Sequence, residues 1–204
     1  MRFIYFKISV NGGETVEEWL ANLVCKKYVA QANYSEYERT EIIYGWTVLF
    51  YNLFKVLLVL ITSLFLYSLE ETLISYISFC LLRISGFGYH AKNNFICNLS
   101  SILLFSIAPS ILSKIIQRTD IHLNIFCFLL FGILCVILIL LFAPSFTENS
   151  YTKDTDRIHF LKFSCLITFM GLLGISLILP AQIGLLMMYG MGTALLFLLP
   201  NYTI

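Results

Sequence analysis

Residues 121–144 read IHLNIFCFLLFGILCVILILLFAP. No Asp, Glu, Lys or Arg interrupts the run from Ile121 to Ala143, and Pro144 closes it as a stop signal. As a helix rising about 1.5 Å per residue, such a run covers the roughly 30 Å hydrocarbon core of a bilayer. A helix that is apolar on every face belongs in lipid or in a large core. The whole chain has 204 residues, 59% of them hydrophobic and only 12% charged, with a mean hydropathy of +0.84. Soluble domains are about one quarter charged, so this chain has too few charges to cover a water-exposed surface. These values exclude a soluble globular enzyme and leave the polytopic membrane class.

Other classes fall by charge and cysteine usage. Thirteen Lys and Arg against twelve Asp and Glu give a net charge of +1, too balanced for a nucleic-acid binder. Cys80, Cys127, Cys135 and Cys165 sit inside apolar runs, and no CxxC pair exists, so the six cysteines do not read as a disulfide framework. The stretch Met1–Gly13 is too short in apolar residues for a signal peptide and lacks a small-residue cleavage site. The chain is expected to keep its start and insert through its own helices.

Five further apolar runs flank the first. Ile42–Leu69 is nearly all apolar apart from Asn52 and Lys55 and is ended by Glu70 and Glu71. Thr72–Leu82 is only eleven residues, so it spans only with help from Arg83–His90. Phe95–Ser113 is interrupted by Pro109, and Phe163–Leu179 and Ile183–Leu199 are joined by a turn at Pro180-Ala181-Gln182. The expected fold is therefore all-α, a polytopic protein of about six transmembrane helices with the second short or broken. An N-terminal amphipathic interfacial helix precedes them. Thr15–Glu18 reads as its capping box, with Val16, Trp19, Leu20, Leu23 and Val24 at helical spacing. That helix either lies on the membrane surface or packs on the bundle. Ser35–Glu38 is a second capping box. Residues 1–204 read as a single integral membrane domain, with 1–41 cytoplasmic or interfacial and 42–204 the bundle.

With six spans and a cytoplasmic N-terminus, ten cations fall inside: Arg2, Lys7, Lys26, Lys27, Arg39, Arg83, Lys92, Lys153, Arg157 and Lys162. Lys114 and Arg118 fall outside, which satisfies the positive-inside rule. Lys55, within the first span, either contacts substrate or a carboxylate or snorkels toward an interface. Gly171, Gly174, Gly184, Gly190 and Gly192 read as positions where helix backbones approach closely. They leave a homodimer open.

One segment gathers reactive residue types: RISGFGYHAKNNFIC, residues 83–97. Its His90 and Cys97 are the minimum for thiolate catalysis, in which the imidazole takes the thiol proton and the sulfur attacks a carbonyl. In one continuous helix residues seven apart lie about 10.5 Å apart along the axis, whereas the pair needs about 2.6–3.2 Å. A catalytic pair requires the helix to break between them. Lys92-Asn93-Asn94 offers the break: Asn93 or Asn94 caps a new helix and places Cys97 near its first turn, where free amides favour a thiolate. Gly86 and Gly88 let the preceding chain bend back. The bland reading is a packing cysteine and a hydrated histidine. His122 and His159 lie in other loops, and no HExxH, GxSxG or Walker-type loop is present. No metal or cofactor is expected.

At these residues the chain resembles the AgrB (accessory gene regulator protein B) family, membrane endopeptidases of Gram-positive bacteria that process a quorum-sensing propeptide. Arg83, Gly88, His90, Ala91 and Cys97 match the family pattern in order and spacing, while Phe87 stands where the first glycine of a pair is expected, with Gly86 just before it. Tyr34-Ser35-Glu36 leading to Ile43-Tyr44-Gly45, and Ala143-Pro144 followed by a polar loop ending at Arg157 and Lys162, are similar to further family segments.

The resemblance implies a cysteine endopeptidase in the bacterial cell membrane, its active site near the cytoplasmic side, acting on an AgrD-like propeptide. His90 would deprotonate Cys97, which attacks the carbonyl ending the signal segment, expels the C-terminal tail and leaves a thioester. A Cys or Ser of the substrate then closes a thiolactone or lactone. Arg83, Gly88, Lys92, Lys153 and Arg157 are the candidate substrate-binding residues, the cations among them, with Lys162, facing an acidic tail. Two other readings remain: a small peptide transporter or exporter without proteolytic activity, and a scaffold without chemistry.

Overall fold

A computed structural model of the chain describes residues 16–28, 35–87, 94–119, 125–145 and 155–199. Among these residues every regular element is helical. In order they are α1 (Val16–Tyr28), α2 (Glu36–Phe65), α3 (Leu69–Gly86), α4 (Asn94–Ile102), a π-helical turn (Leu103–Ile107), α5 (Ala108–Thr119), α6 (Ile125–Phe142), α7 (Thr155–Ile178) and α8 (Ala181–Leu196). Among the described residues three helices are long and apolar enough to cross a membrane: Glu38–Phe65, Phe95–Thr119 and Thr155–Ile178. Phe126–Phe142 and Ala181–Leu196 are shorter apolar helices. The chain forms two compact units, Met1–Leu57 and Leu58–Ile204.

In the first unit, α1 buries Ala21 and Cys25 and leaves Trp19 and Leu23 exposed. The predicted cap at Thr15–Glu18 lies outside the described side chains. The second cap forms as the sequence predicts. The Ser35 backbone amide and hydroxyl both donate to Glu38 Oε2, at 2.9 and 2.8 Å, while the Glu38 amide donates to Ser35 Oγ at 3.3 Å. Lys55 lies 5.5 Å from the centroid of the Tyr51 ring one turn earlier, so its charge rests on an aromatic face within its own helix.

The first apolar run does not extend to Leu69. It ends at Phe65 in a Schellman motif: Ser68 N–H donates to the Ser63 carbonyl at 3.0 Å and Tyr67 N–H to Leu64 at 3.2 Å, with Tyr67 at φ 52°. Glu70 and Glu71 therefore open α3, where carboxylates suit the positive helix end. Where the short second span was expected, α3 is an unbroken helix of 18 residues from Leu69 to Gly86, though it is not among the helices long and apolar enough to cross.

In the second unit α3 packs chiefly on α8 and then on α7. Its buried face carries Thr72, Ser75, Ser78 and Ser85 beside Phe79 and Leu82. These small side chains admit close helix approach. At Gly190 of α8, a β-carbon would collide with the carbonyl oxygen of Ser75. The predicted glycine packing holds only in part. A β-carbon on Gly192 would meet the Phe131 ring at an ordinary 3.6 Å, and on Gly171 or Gly174 it would meet nothing within 4 Å. Around these contacts gather Val59, Phe105, Cys135, Ile139, Phe169 and Met191.

Pro109 does not interrupt its span. Proline supplies no N–H and clashes with the preceding turn in an α-helix. The chain absorbs this by widening to the π turn, in which Ala108 N–H donates to the Leu103 carbonyl. The next carbonyl, Leu104, would look to residue 109 for a donor, and the Tyr189 hydroxyl of α8 donates to it instead at 2.8 Å. Ser106 Oγ in the same turn donates to the Val59 carbonyl at 2.8 Å. α7 begins at Thr155, earlier than the predicted Phe163, so Arg157 lies in a helix and not in a loop.

Candidate active site

Cys97 is the fourth residue of α4. The backbone amides of a first turn have no intrahelical partner and carry the positive end of the helix dipole. The thiol is half-buried, and its own carbonyl accepts from Ser100 Oγ at 3.0 Å and Ser101 Oγ at 2.8 Å. Cys135 and Cys165 are buried in the core and Cys127 is exposed on α6. Cys127, the third residue of α6, also lies in a first turn but is exposed, whereas Cys97 is half-buried.

α3 ends before this helix begins. Its last residue is Gly86, and the turn falls on Phe87, with φ 58° and ψ −127°. Gly86 itself serves close packing, since a β-carbon there would lie 3.2 Å from Leu198 Cδ2 and 3.4 Å from Cys165 Sγ. The bend expected at Gly86 is thus made one residue later. Phe87 N–H donates to the Arg83 carbonyl at 3.0 Å, and Ser145 N–H donates to the Gly86 carbonyl at 2.9 Å. The segment following α6 is thereby fastened beside the end of α3, with Phe87 and Ser145 forming a parallel bridge. Gly88, His90 and Lys92 lie outside the described residues, as does Lys153.

Arg83 occupies the last turn of α3. Its guanidinium carbon stands 5.3 Å from the centroid of the Phe79 ring and 5.5 Å from that of Phe197, whose rings meet edge-on at 5.8 Å. It interacts electrostatically with Cys97, Cys80 and Tyr76. Tyr76 hydrogen-bonds to Cys80, and its ring packs against Phe105 at 5.1 Å. Tyr76, Cys80 and Arg83 are spaced four and three residues apart, one face of a helix. That signal was available in the sequence; Phe197, from the far end of the chain, gave none.

The other predicted cations divide. Arg157 is exposed in the first turn of α7. Lys162 donates from Nζ to the Leu140 carbonyl at 2.7 Å, tying α7 to the C-terminal turn of α6. Arg83, Cys97, Ser145 and Lys162 belong to the same end of the second unit. Glu71 lies at the other, where its carboxylate accepts from Ser113 Oγ at 3.0 Å and Gln182 Nε2 donates to the same hydroxyl at 3.0 Å.

Residues 20–199 match the family model described as accessory gene regulator B. The chain is similar to protein FsrB of Enterococcus faecalis, 31% identical over 77% of this chain and 63% of that protein, so the match spans less than two thirds of FsrB. It is also similar to a putative AgrB-like protein of Clostridium acetobutylicum, 28% identical over 85% of this chain and 80% of the relative. A third relative is accessory gene regulator protein B of Staphylococcus aureus, 27% identical over 78% and 81%. No solved structure matches.

Proposed function

This chain belongs to the accessory gene regulator B family, and from that premise we propose that it is a membrane-embedded cysteine endopeptidase of quorum sensing. Its substrate is an AgrD-like propeptide, cut at the C-terminal side of the signal segment. The observation that carries this reading is the placement of Cys97 in the first turn of α4, with α3 ending at Gly86 and Arg83 in electrostatic reach. The helix break that a His90–Cys97 pair requires thus has room between Gly86 and Asn94.

In the proposed reaction His90 accepts the Cys97 proton. The sulfur adds to the scissile carbonyl, the C–N bond breaks, and the tail leaves as an amine after taking a proton from the imidazolium. The thioester keeps the acyl group activated, so a thiol or hydroxyl of the signal segment displaces Cys97 and closes the ring. Exclusion of water and proximity of the two ends are what the protein must supply. Exposed Arg157 fits an acidic tail, together with Lys92, Lys153 and Gly88. We place the chain in the bacterial cell membrane with this end toward the cytoplasm, because its cations then obey the positive-inside rule.

The test is mass spectrometry on the full chain in lipid vesicles with its cognate propeptide, comparing wild type with Cys97→Ala and His90→Ala. A released tail and an acyl adduct on Cys97, both lost in Cys97→Ala, are the expected result. Full cleavage by Cys97→Ala overturns the reading.

A further inference from the structure

Cys97 is joined to the rest of the bundle through one continuous rod. α4, the π turn and α5 follow one another without a gap from Asn94 to Thr119. On α5 the buried residues are Pro109, Ser110, Ser113 and Ile116. Counted back from these in unbroken α-helical steps of about 3.6 residues, the inward positions on α4 would be Leu99 and Phe95. Both are instead turned outward, 46% and 71% exposed, as are Ile96 and Leu103, while Cys97 and Asn98 are half-buried. The inward face has slipped by one residue between α5 and α4. It slips at the π turn, which takes about one residue more per turn than an α-helix.

Three features keep the extra residue in place. Pro109 has no N–H with which to close an α-helical ladder onto Phe105. The Tyr189 hydroxyl of α8 donates to the Leu104 carbonyl, and Ser106 Oγ donates to the Val59 carbonyl, each at 2.8 Å. α5 is pinned separately, by packing on α3 and α8 and through Ser113, which donates to Glu71 and accepts from Gln182. α4 packs chiefly on the π turn itself. A change of register in the turn therefore swings α4 and not α5, by about 100° for one residue.

We infer that Tyr189 and Ser106 are positioning residues for Cys97: by holding the π turn they keep the Cys97 side of α4 toward the bundle and away from lipid. The inference rests on the reading of Cys97 as the nucleophile. The link runs through the helix itself, so it needs no contact between either residue and the thiol. An unbroken α register would carry Cys97 and Ser100 to the outward side, where hydrocarbon, and not a polar peptide, faces the sulfur.

The experiment is a nitroxide scan of residues 95–103 in the full chain in lipid vesicles, with the native cysteines replaced by alanine. It reads collisions with dissolved oxygen, which gathers in lipid. The unaltered turn should give maxima at 95–96, 99 and 103. Pro109→Ala alone should keep that pattern, because Tyr189 and Ser106 still hold the turn. Adding Tyr189→Phe and Ser106→Ala should move the maxima by one residue, to 96–97 and 100. With native cysteines and propeptide, the same triple variant should lose at least about tenfold in kcat at unchanged KM. Deleting Leu103 from the triple variant removes the extra residue, so an unbroken helix regains the original pattern and should regain the turnover. A merely structural role lowers the stability of the triple variant and leaves the maxima in place, which overturns the inference. So does a deletion variant with the original pattern and no recovery of kcat, an outcome that decides the matter even if the triple variant fails to fold. Failure of the wild type to cleave propeptide sinks the endopeptidase reading alone, since the scan still reports what sets the direction of Cys97.

Discussion

Gly190 of α8 lies directly against the backbone of Ser75 on α3, with no room for a β-carbon before the Ser75 carbonyl oxygen. A carbonyl within a packed helix has no flexible end to yield, so the whole helix must move. Gly190→Ala is expected to destabilise the bundle by about 1–3 kcal/mol, read as a lower midpoint of thermal unfolding in detergent. Gly171→Ala and Gly174→Ala have open space and should be neutral or stabilising by up to about 1 kcal/mol. Equal losses at all three positions would show that the α3–α8 contact is not special.

The Tyr189 hydroxyl stands in for the donor that Pro109 lacks. Tyr189→Phe should cost about 1 kcal/mol, the scale of an interhelical hydrogen bond in a membrane protein. In a Pro109→Ala background the backbone regains an amide and the cost should shrink. A double-mutant cycle of thermal or denaturant unfolding measures the coupling, and strict additivity would remove the link.

Phe87 holds φ 58° with a β-carbon, a conformation natural to glycine and costly by about 1–3 kcal/mol for other residues. Phe87→Gly should therefore be more stable than Phe87→Ala, although both lose the same ring. Unfolding midpoints of the two variants decide it. The reverse order would mean that the backbone rearranges once the ring is gone.

Arg157 and Lys162 should separate in kinetics. Arg157→Ala is expected to raise KM for an acidic-tailed propeptide up to about fivefold, an effect that fades with salt. Lys162→Ala should leave KM unchanged and lower stability by about 1 kcal/mol, because its ammonium serves the α6 terminus. A KM effect at Lys162 with unaltered stability would reverse the two assignments.

Much of this was legible locally. The cap at Ser35–Glu38, the stop at Pro144 and the start of α4 at Asn94 rest on backbone chemistry within a few residues. The end of α2 was misread because a tyrosine, where a glycine is usual, takes the left-handed position of the Schellman motif at residue 67. Pro109 was misread because its cost is met by Tyr189, eighty residues further along.

The sequence by itself determined that the chain is helical and built for lipid, because long apolar runs in a chain only 12% charged leave too little polar surface for water. It also showed where the reactive residue types gather, in residues 83–97. Only the tertiary structure decided which faces meet. α6 is apolar all round, so its periodicity is silent, yet it buries Phe128, Gly132, Cys135 and Ile139 and exposes Leu129, Leu130, Ile133 and Leu134. The aromatic clamp on Arg83 was equally out of reach, since Phe79 and Phe197 come from helices far apart in the chain. Apolarity states that a residue leaves water; it does not state whether lipid or another helix receives it. That choice is made by steric fit, such as a glycine against a serine carbonyl, which exists only once the helices are packed.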